Sequence, residues 1–233
     1  MKNKVKVRYN NDLNKLENGV LSSVEQNLFF YICSRTREHG SELIEISFDS
    51  IRERSGFTAH GDLALISALK EVNRNLLTMN YEYVTENNII IQGGLFTTFS
   101  IDPYQRILGI KINEDLSFLL NRLDGNFSEW ELEEFTKIKS SYTKRIYRLC
   151  KEWRTVGKTP IYNVESFKTA IGLPESYENK KLVARILIPT EEELSKYFKN
   201  FKVIINRGES RGTPITGISF SFSPIMYLKT DAV

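Results

Sequence analysis

Residues 176–198 read SYENKKLVARILIPTEEELSKYF, and this stretch decides which fold the sequence predicts. Leu182, Ile186 and Leu187 lie four and five residues apart, so they share one face of a helix. The basic residues fall on or near the opposite face, and they are Lys180, Lys181 and Arg185. The sequence therefore predicts an amphipathic helix with a basic outer face.

The neighbours of this helix indicate a winged helix-turn-helix. A short helix over residues 163–171 precedes it across a turn at Gly172 and Pro174, and a two-stranded ribbon follows over residues 201–222. In that motif the second helix lies in the major groove of DNA. An ordinary amphipathic helix whose basic face is simply solvated is the alternative.

The same order of elements is predicted in the first half of the chain. Ser22 and Glu25 form a capping box, which marks the start of a helix. Periodicity then predicts a strand over 42–48 and helices over 49–55 and 61–79. Strands are predicted over 81–85, 88–91, 95–101 and 107–112. We therefore predict an α+β protein of two tandem winged-helix domains, residues 1–125 and residues 126–233, each of ordinary domain size.

The charge distribution separates the two halves of the chain. Residues 1–135 carry 14 Lys and Arg against 20 Asp and Glu, a net charge of −6, whereas residues 136–233 carry 18 against 9, a net charge of +9. The two values add to the +3 of the whole chain. Excess positive charge on one domain is expected of a nucleic-acid-binding domain. The second domain is therefore predicted to be the main DNA-binding domain, and the first to serve protein contacts or regulation.

The composition is that of a soluble globular protein, with 41% hydrophobic and 26% charged residues. No apolar run is long enough to cross a bilayer, and no apolar segment of a secretory signal follows the basic N-terminus. Cys33 and Cys150 lie far apart, each in a helical apolar pattern. This pattern predicts buried thiols in a reducing compartment, so we expect a cytoplasmic protein.

Signals for catalysis are weak. Gly157-Lys158-Thr159 resembles the end of a phosphate-binding loop, but Glu152 stands where that motif requires glycine. His39 and His60 are isolated, and with the two cysteines they do not match the spacing of a zinc site. We expect a protein that is not an enzyme and that has no cofactor and no metal site.

Several segments of the second domain carry the pattern of a known family. IKSSYTKRIYRLCKEW at 138–153 comes first, and Ile171-Gly172-Leu173 follows in a predicted turn. Two dispersed patterns complete the set, namely Leu187, Pro189, Glu193 and Leu194 in the basic helix and Gly217, Ile218, Phe220 and Phe222 in the last strand. Through these residues the chain resembles the C-terminal domain of theta-type plasmid replication initiators over 136–223. Thr190 departs from the family pattern, in which alanine follows the proline. The first half is less similar, through Asn10–Leu13 and Leu21–Glu25.

The resemblance implies a function. Such initiators bind repeated sequences, called iterons, at a plasmid origin, with two winged helices on successive parts of one repeat. They help to open the origin and recruit host replication proteins such as the replicative helicase. As dimers joined through the N-terminal domain, many also repress their own gene. The expected partners are thus double-stranded DNA, a second copy of the chain (with a monomer possible on DNA) and host replication proteins, but no membrane.

The residues expected to contact DNA lie on three elements. Because arginine can form a bidentate pair with guanine, Arg185 is expected to read a base, with Lys181 second. Ser176, Tyr177 and Lys180 are expected to meet phosphate at the start of the helix, although capping explains Ser176 equally well. The other candidates are Ser140, Ser141, Lys144 and Arg145 on an earlier helix with a polar face, and Lys202, Arg207 and Arg211 on the ribbon.

Two other binding functions fit the same sequence. A dimeric winged-helix transcription regulator would bind DNA without a part in replication, and a protein-interaction module would not bind DNA in a salt-dependent manner. A directly repeated array beside the gene would favour the initiator.

Overall fold

The structure is a computed structural model that describes residues 4–16, 21–79, 81–84, 87–121, 123, 125–209 and 214–225. The chain forms two compact units, Met1–Ser141 and Tyr142–Val233. The boundary thus lies after the position between residues 125 and 126 that the sequence suggested. The reason is strand pairing, because Phe127–Glu131 is hydrogen-bonded to Lys6–Asn10 near the start of the chain.

The first unit mixes helices and strands. In chain order they are β1 (Lys6–Asn10), α1 (Leu13–Leu16), α2 (Ser23–Thr36), β2 (Ile44–Ser47), α3 (Phe48–Ser55), α4 (Asp62–Leu77), β3 (Tyr81–Val84), β4 (Ile90–Gly93), β5 (Phe96–Asp102), β6 (Ile107–Ile112), a 3₁₀ helix (Glu114–Leu119), β7 (Phe127–Glu131) and α5 (Leu132–Lys137).

Helices α2, α3 and α4 and the antiparallel sheet β2-β6-β5 form the winged helix of this unit. Strand β6 lies in the centre, with Leu108 opposite Ile46 of β2 and Ile110 opposite Phe99 of β5. The β1–β7 ribbon and the β3–β4 hairpin are additional to this motif. The predicted order of helix, strand, two helices and two strands is confirmed.

Local sequence signals determine several helix ends. The Ser22 hydroxyl accepts a hydrogen bond from the Glu25 backbone N–H at 3.4 Å, and the Glu25 carboxylate accepts one from the Ser22 N–H at 2.6 Å. The predicted capping box is therefore present. Helix α3 ends at Gly56, whose φ of 70° is a conformation that favours glycine.

An aromatic cluster holds the first unit together. The ring of Phe30 on α2 lies 5.1 Å from that of Trp130 on β7 and 5.3 Å from that of Phe135 on α5. Each of the three side chains is at most 3% exposed. Full burial of a large apolar side chain contributes about 1.5–3 kcal/mol, so this cluster fixes β7 and α5 on α2.

The second unit repeats the winged-helix order with a smaller sheet. Its elements are α6 (Ser141–Glu152, starting at the last residue of the first unit), α7 (Val164–Ala170), α8 (Asn179–Leu182), a π-helical turn (Val183–Leu187), α9 (Ile188–Leu194), β8 (Lys202–Arg207) and β9 (Ile215–Ser221). An isolated antiparallel bridge joins Tyr162 to Ile218 of β9, where a winged helix has its first strand.

Phenylalanine side chains form the core of the second unit. The ring of Phe220 on β9 lies 5.8 Å from that of Phe167 on α7 and 6.0 Å from that of Phe201, which precedes β8. The rings of Phe198 and Phe222 are 4.9 Å apart. All five are buried, so α7, the segment after α9 and the ribbon share one core.

Both cysteines are buried and neither forms a disulfide, which agrees with the predicted buried thiols. Burial raises the pKa of the Cys150 thiol well above its ordinary value, so the thiol is protonated at neutral pH. Among the described residues, no helix is long and apolar enough to span a membrane. Within the same ranges, no group of three or more His, Cys, Asp or Glu side chains is placed to hold a metal ion.

Candidate nucleic-acid interface

The long helix of the second unit runs from Asn179 to Leu194 through α8, the π-turn and α9, and is called the 179–194 helix below. It begins later than predicted, with Glu178 as its N-cap. The Tyr177 backbone N–H donates to the Pro174 carbonyl at 3.0 Å, so this residue belongs to the preceding turn. Ser176 is exposed in the same turn. Ser176 and Tyr177 therefore do not open the helix, although they lie beside its start.

The 179–194 helix has one buried and one exposed face. Leu182, Ile186, Thr190 and Leu194, four residues apart, are at most 4% exposed and pack into the unit. The opposite face consists of Lys180, Lys181, Ala184, Arg185, Ile188 and Glu192, all exposed. The predicted amphipathic pattern with its basic outer face is present in the structure.

Proline accounts for the π-turn in this helix. Pro189 has no backbone N–H, so the carbonyl of Arg185, four residues earlier, lacks its usual helical donor. The Ile188 N–H donates to the carbonyl of Val183, five residues back, which is the π-helical pattern. Such single π-turns are frequent at functional sites. Here the turn carries Arg185 on the exposed face.

Charge changes sign along the exposed face. Lys180, Lys181 and Arg185 lie in the N-terminal half of the helix, whereas Glu191, Glu192 and Glu193 follow in the C-terminal half. The Lys181 ammonium pairs with the Glu178 carboxylate at 2.6 Å. Lys180 and Arg185 make no side-chain hydrogen bond or ion pair with any described residue. These two cations are therefore the ones most available to a phosphate or a base edge.

The wing of the second unit is the β8–β9 ribbon. Lys202 at its start pairs with Glu191 at 3.0 Å, and the same carboxylate accepts a hydrogen bond from the Val203 N–H at 2.8 Å. Arg207, at the end of β8, is exposed. Arg211 lies outside the described residues. The helix and the wing are thus joined through one glutamate, a contact that the spacing in the sequence did not suggest.

Helix α6 does not present the polar face that its sequence predicted. Lys144 and Arg145 are 0% and 1% exposed, and Arg148 is 2% exposed. An Arg145 guanidinium N–H donates to the Ile171 carbonyl at 3.4 Å, and the Lys151 ammonium lies 4.9 Å from the Tyr147 ring centre. The polar face predicted for α6 is therefore not exposed, since all three side chains are buried. Lys144 and Arg145 are therefore not available for phosphate contact in this structure.

Ser140 and Ser141 are half-buried beside the start of α6. The Ser141 carbonyl accepts a hydrogen bond from the Gln26 side-chain amide at 3.3 Å. Their expected contact with phosphate stays a prediction.

The Gly157-Lys158-Thr159 triplet has a structural role. Gly157 adopts a φ of 80°, and its carbonyl accepts a hydrogen bond from the Phe222 N–H at 2.8 Å. The Thr159 hydroxyl accepts one from the Phe220 N–H at 3.0 Å. The segment attaches the chain after α6 to the end of β9, which explains the triplet without a nucleotide.

Exposed apolar residues on the helix were missed by sequence reasoning. Ile188 is 53% exposed and lies beside Ala184 on the basic face. Its position was detectable, because Ile188 is out of phase with the buried residues Ile186 and Thr190. An apolar side chain beside an arginine suits contact with a thymine methyl group.

The corresponding helix of the first unit, α4, is less suited to an anionic partner. Its cations Lys70 and Arg74 are matched by Asp62 and Glu71 within the same helix. Arg74 pairs with Glu71, and Leu63 on its outer face is 83% exposed. The candidate interface therefore lies in the second unit.

Two winged helices in series, the second with a basic outer helix face and a wing, define a tandem winged-helix protein, as the sequence predicted. The sequence matches the family described as Initiator Replication protein, WH1, over residues 6–151. It also matches the family described as Initiator Rep protein, WH2, over residues 163–222. The chain belongs to the initiator replication protein (Rep3) family, whose members are DNA-binding proteins rather than enzymes.

Two similar proteins agree with this placement. A probable replication protein from Bifidobacterium longum (strain NCC 2705) is 34% identical over 152 residues, which is 65% of this chain. The match spans about half of that relative, 51% of its length. The Pi initiator protein, solved in complex with iteron DNA, is similar in structure with a TM-score of 0.72 and 14% identity, covering 95% of this chain and 98% of that one. Because the identity is only 14%, this similarity shows that the two proteins share a fold.

Proposed function

We propose that the protein initiates plasmid replication by binding repeated duplex-DNA sequences at the origin. The observation that carries this proposal is the exposed face of the 179–194 helix, where Lys180 and Arg185 have no partner among the described residues. That helix takes the place of the recognition helix, which enters the major groove in this motif. Arg185 reads a base edge, and Lys180 contacts phosphate.

Family membership and the fold of an iteron-bound initiator support this proposal. Composition supports it as well, because residues 142–233 carry 16 Lys and Arg against 9 Asp and Glu, a net charge of +7. Positive charge that faces phosphates releases counterions on binding, so the affinity decreases steeply with salt. The wing adds Arg207 to the backbone contacts.

The finer parts of the function follow from the family resemblance. A dimer joined through the first unit represses its own gene, and a monomer binds the origin repeats. The protein acts in the cytoplasm, where it recruits host replication proteins such as the replicative helicase. Main DNA binding belongs to the second domain, with an auxiliary contact by the first.

A footprint on the DNA that flanks the gene tests the proposal. The full chain should protect several direct repeats, and a plasmid that carries them should depend on the protein for replication. Protection of one operator, with replication unaffected by loss of the protein, would instead favour a transcription regulator. Affinity that is unchanged between low and moderate salt would contradict duplex binding altogether.

A further inference from the structure

A polar cleft with a volume of about 660 Å³ lies in the first unit, on elements that the proposed DNA interface does not use. The residues that line it come from β1 and the segment before it, α2 and its C-terminal end, α3 and β7. They are Lys4, Val5, Lys6, Tyr31, Ser34, Arg35, Arg37, Glu38, Ser50, Arg54 and Glu129. We propose that this cleft binds a small polyphosphate anion, such as inorganic tripolyphosphate or the triphosphate chain of a nucleotide.

The periodicity of each element directs its polar side chains into the cleft. On α2, Tyr31 and Arg35 are four residues apart, and Ser34 lies three residues after Tyr31, so all three share one helical face. On α3, Ser50 and Arg54 are also four residues apart. Two helices therefore each supply a hydroxyl group and an arginine to the same cavity.

A hydrogen bond joins the two helices at the floor of the cleft. The hydroxyl groups of Tyr31 and Ser50 are 2.6 Å apart and share a hydrogen bond, which joins α2 to α3. The Tyr31 side chain is 1% exposed. This bond holds together the two helices that carry Arg35 and Arg54. An organised pair of this kind loses less conformational entropy when it binds.

The residues that line the cleft carry a net positive charge, whereas residues 1–135 as a whole carry a net negative charge. Five basic residues and two acidic residues line the cleft, a net charge of +3. Residues 1–135 as a whole carry 14 basic and 20 acidic residues, so more than a third of their cations meet at this one cavity. A cleft lined by one sign of charge concentrates its field on an oppositely charged ligand.

Intramolecular pairs neutralise only part of this charge. Lys4 pairs with Glu131 at 2.9 Å, Lys6 with Glu129 at 3.4 Å and Arg37 with Glu38 at 2.7 Å. Arg35 is exposed and forms no hydrogen bond or ion pair with any described residue. Arg35 is thus the cation of the lining that a ligand can pair with directly, within a lining whose net charge is +3.

The chemistry of the lining selects the class of ligand. A volume of 660 Å³ lies within the range of small-molecule sites. Guanidinium groups form forked hydrogen bonds with phosphate oxygens, and the hydroxyl groups can donate to them as well. Tyr31 is the one aromatic residue among the described residues of the lining, and its ring is buried. The phosphate chain, rather than a stacked base, is therefore what the cleft recognises.

The test is calorimetric titration of the full chain with inorganic tripolyphosphate. Arg35→Ala and Arg54→Ala should each weaken binding roughly tenfold, as expected for the loss of a charge-assisted hydrogen bond. Arg35→Lys should lose part of the affinity, because the charge stays but the fork is lost. Arg74→Ala is the matched control, because it removes an exposed arginine of the same unit outside the cleft. Thermal melting confirms that each variant is folded.

Two further arms identify the source of the phosphate. Equal affinity for tripolyphosphate and a nucleoside triphosphate would support a free polyphosphate anion. If Arg35→Ala also lowered the affinity for duplex DNA, the phosphate that the cleft binds would be that of the DNA backbone. Absence of binding would overturn the proposal, and so would an affinity reduced by Arg185→Ala but not by Arg35→Ala or Arg54→Ala. The DNA footprint depends on Arg185, whereas tripolyphosphate binding depends on Arg35 and Arg54. Either proposal can therefore fail without the other.

Discussion

The Glu191 carboxylate accepts a hydrogen bond of 2.8 Å from the Val203 backbone N–H, and this bond joins the 179–194 helix to the first strand of the wing. Lys202 adds an ion pair to the same carboxylate at 3.0 Å. The proposed base-reading helix and the proposed backbone-contacting ribbon therefore share a fixed geometry. Two predictions depend on this contact.

Glu191→Ala should lower the free energy of unfolding by about 1 kcal/mol, which is less than is usual for a hydrogen bond to a charged group because the site is partly exposed. It should also weaken DNA binding, since the wing loses its attachment to the helix. Denaturant unfolding and duplex affinity measure the two effects. Glu192→Ala, one position further along and exposed, is the matched control and should leave stability unchanged. Equal behaviour of both variants would contradict the role of Glu191.

The same contact predicts a dependence of stability on acid. The hydrogen bond from Val203 lowers the pKa of Glu191, and Lys202 lowers it further, while partial burial acts in the opposite direction. A carboxylate with a lowered pKa in the folded state contributes stability that is complete above its ordinary value of 4.5 and is lost as the pH falls below that value. Glu191→Gln should reduce the loss of stability in this range, as measured by unfolding between pH 6 and about pH 3. An unchanged pH profile would exclude the contribution.

Lys144 predicts that the stability of the fold also depends on pH in the neutral to alkaline range. Burial lowers its pKa to about 7, and the Glu193 carboxylate opposes this shift. Between that value and the ordinary 10.5 the unfolded chain binds more protons, so stability should rise with pH over this range. Lys144→Met should remove the rise and stabilise the protein near pH 7. Since the side chain is 0% exposed, DNA affinity should not change. A loss of affinity without a change in stability would instead place Lys144 at the DNA.

The elements of both winged helices were predictable because their signals are local. The Ser22 and Glu25 cap, the turn at Gly56 and the spacing of Leu182 and Ile186 act within one or two helical turns. Arg145 shows where this reasoning fails. Its neighbours on α6 are spaced like those of a solvated basic face, and only the packing of α6 against the Ile171 carbonyl shows that the guanidinium is buried.

Long-range pairing was equally hidden. Trp130 lies opposite Val7 in the β1–β7 ribbon, so two segments far apart in sequence form one ribbon and move the domain boundary. No turn or cap between them records that pairing. In the candidate interface, Arg185 was recognisable from helical spacing alone. The contact of Glu191 with Val203 was not, because it depends on how the wing folds back.

Gly157 predicts a large effect of a small substitution. A Cβ at this position would lie 2.7 Å from the Phe222 carbonyl oxygen, and the φ of 80° is unfavourable for alanine. Gly157→Ala should therefore cost about 2 kcal/mol or more, measured by denaturant unfolding. Gly40→Ala isolates the backbone strain, because Gly40 has a φ of 57° but open space around it, and should cost about 1 kcal/mol. Equal costs would mean that the clash is relieved.

Self-association is expected through the first unit, and strand β5 is the candidate edge. It lies outermost in the β2-β6-β5 sheet, with its Phe96 and Phe99 half-buried. An exposed edge of this kind pairs readily with another copy, and a lysine on it hinders the pairing. Thr97→Lys should therefore shift the full chain from dimer to monomer in sedimentation experiments. Thr58→Lys, an exposed threonine outside the sheet, should not. A wild-type chain that stays monomeric at high concentration would remove the idea.

The last prediction separates base reading from phosphate contact on the 179–194 helix. Arg185→Ala removes a forked donor, so it should cost about 1–3 kcal/mol of DNA affinity and relax the preference at one base position. Lys180→Ala should weaken binding to all sequences alike and reduce the salt slope by about one unit. Arg207→Ala on the wing should behave like Lys180→Ala.

Affinities for the cognate repeat and for a scrambled duplex, each at two salt concentrations, distinguish these outcomes. Lys196→Ala is the control, because it removes an exposed cation just after the helix. Thermal stability should barely change in any of the four variants, since each side chain is exposed. Equal losses on both duplexes from Arg185→Ala would make this residue a phosphate contact. Because α6 buries its cations, no loss from Arg185→Ala, Lys180→Ala or Arg207→Ala would move the DNA-binding face away from the second unit.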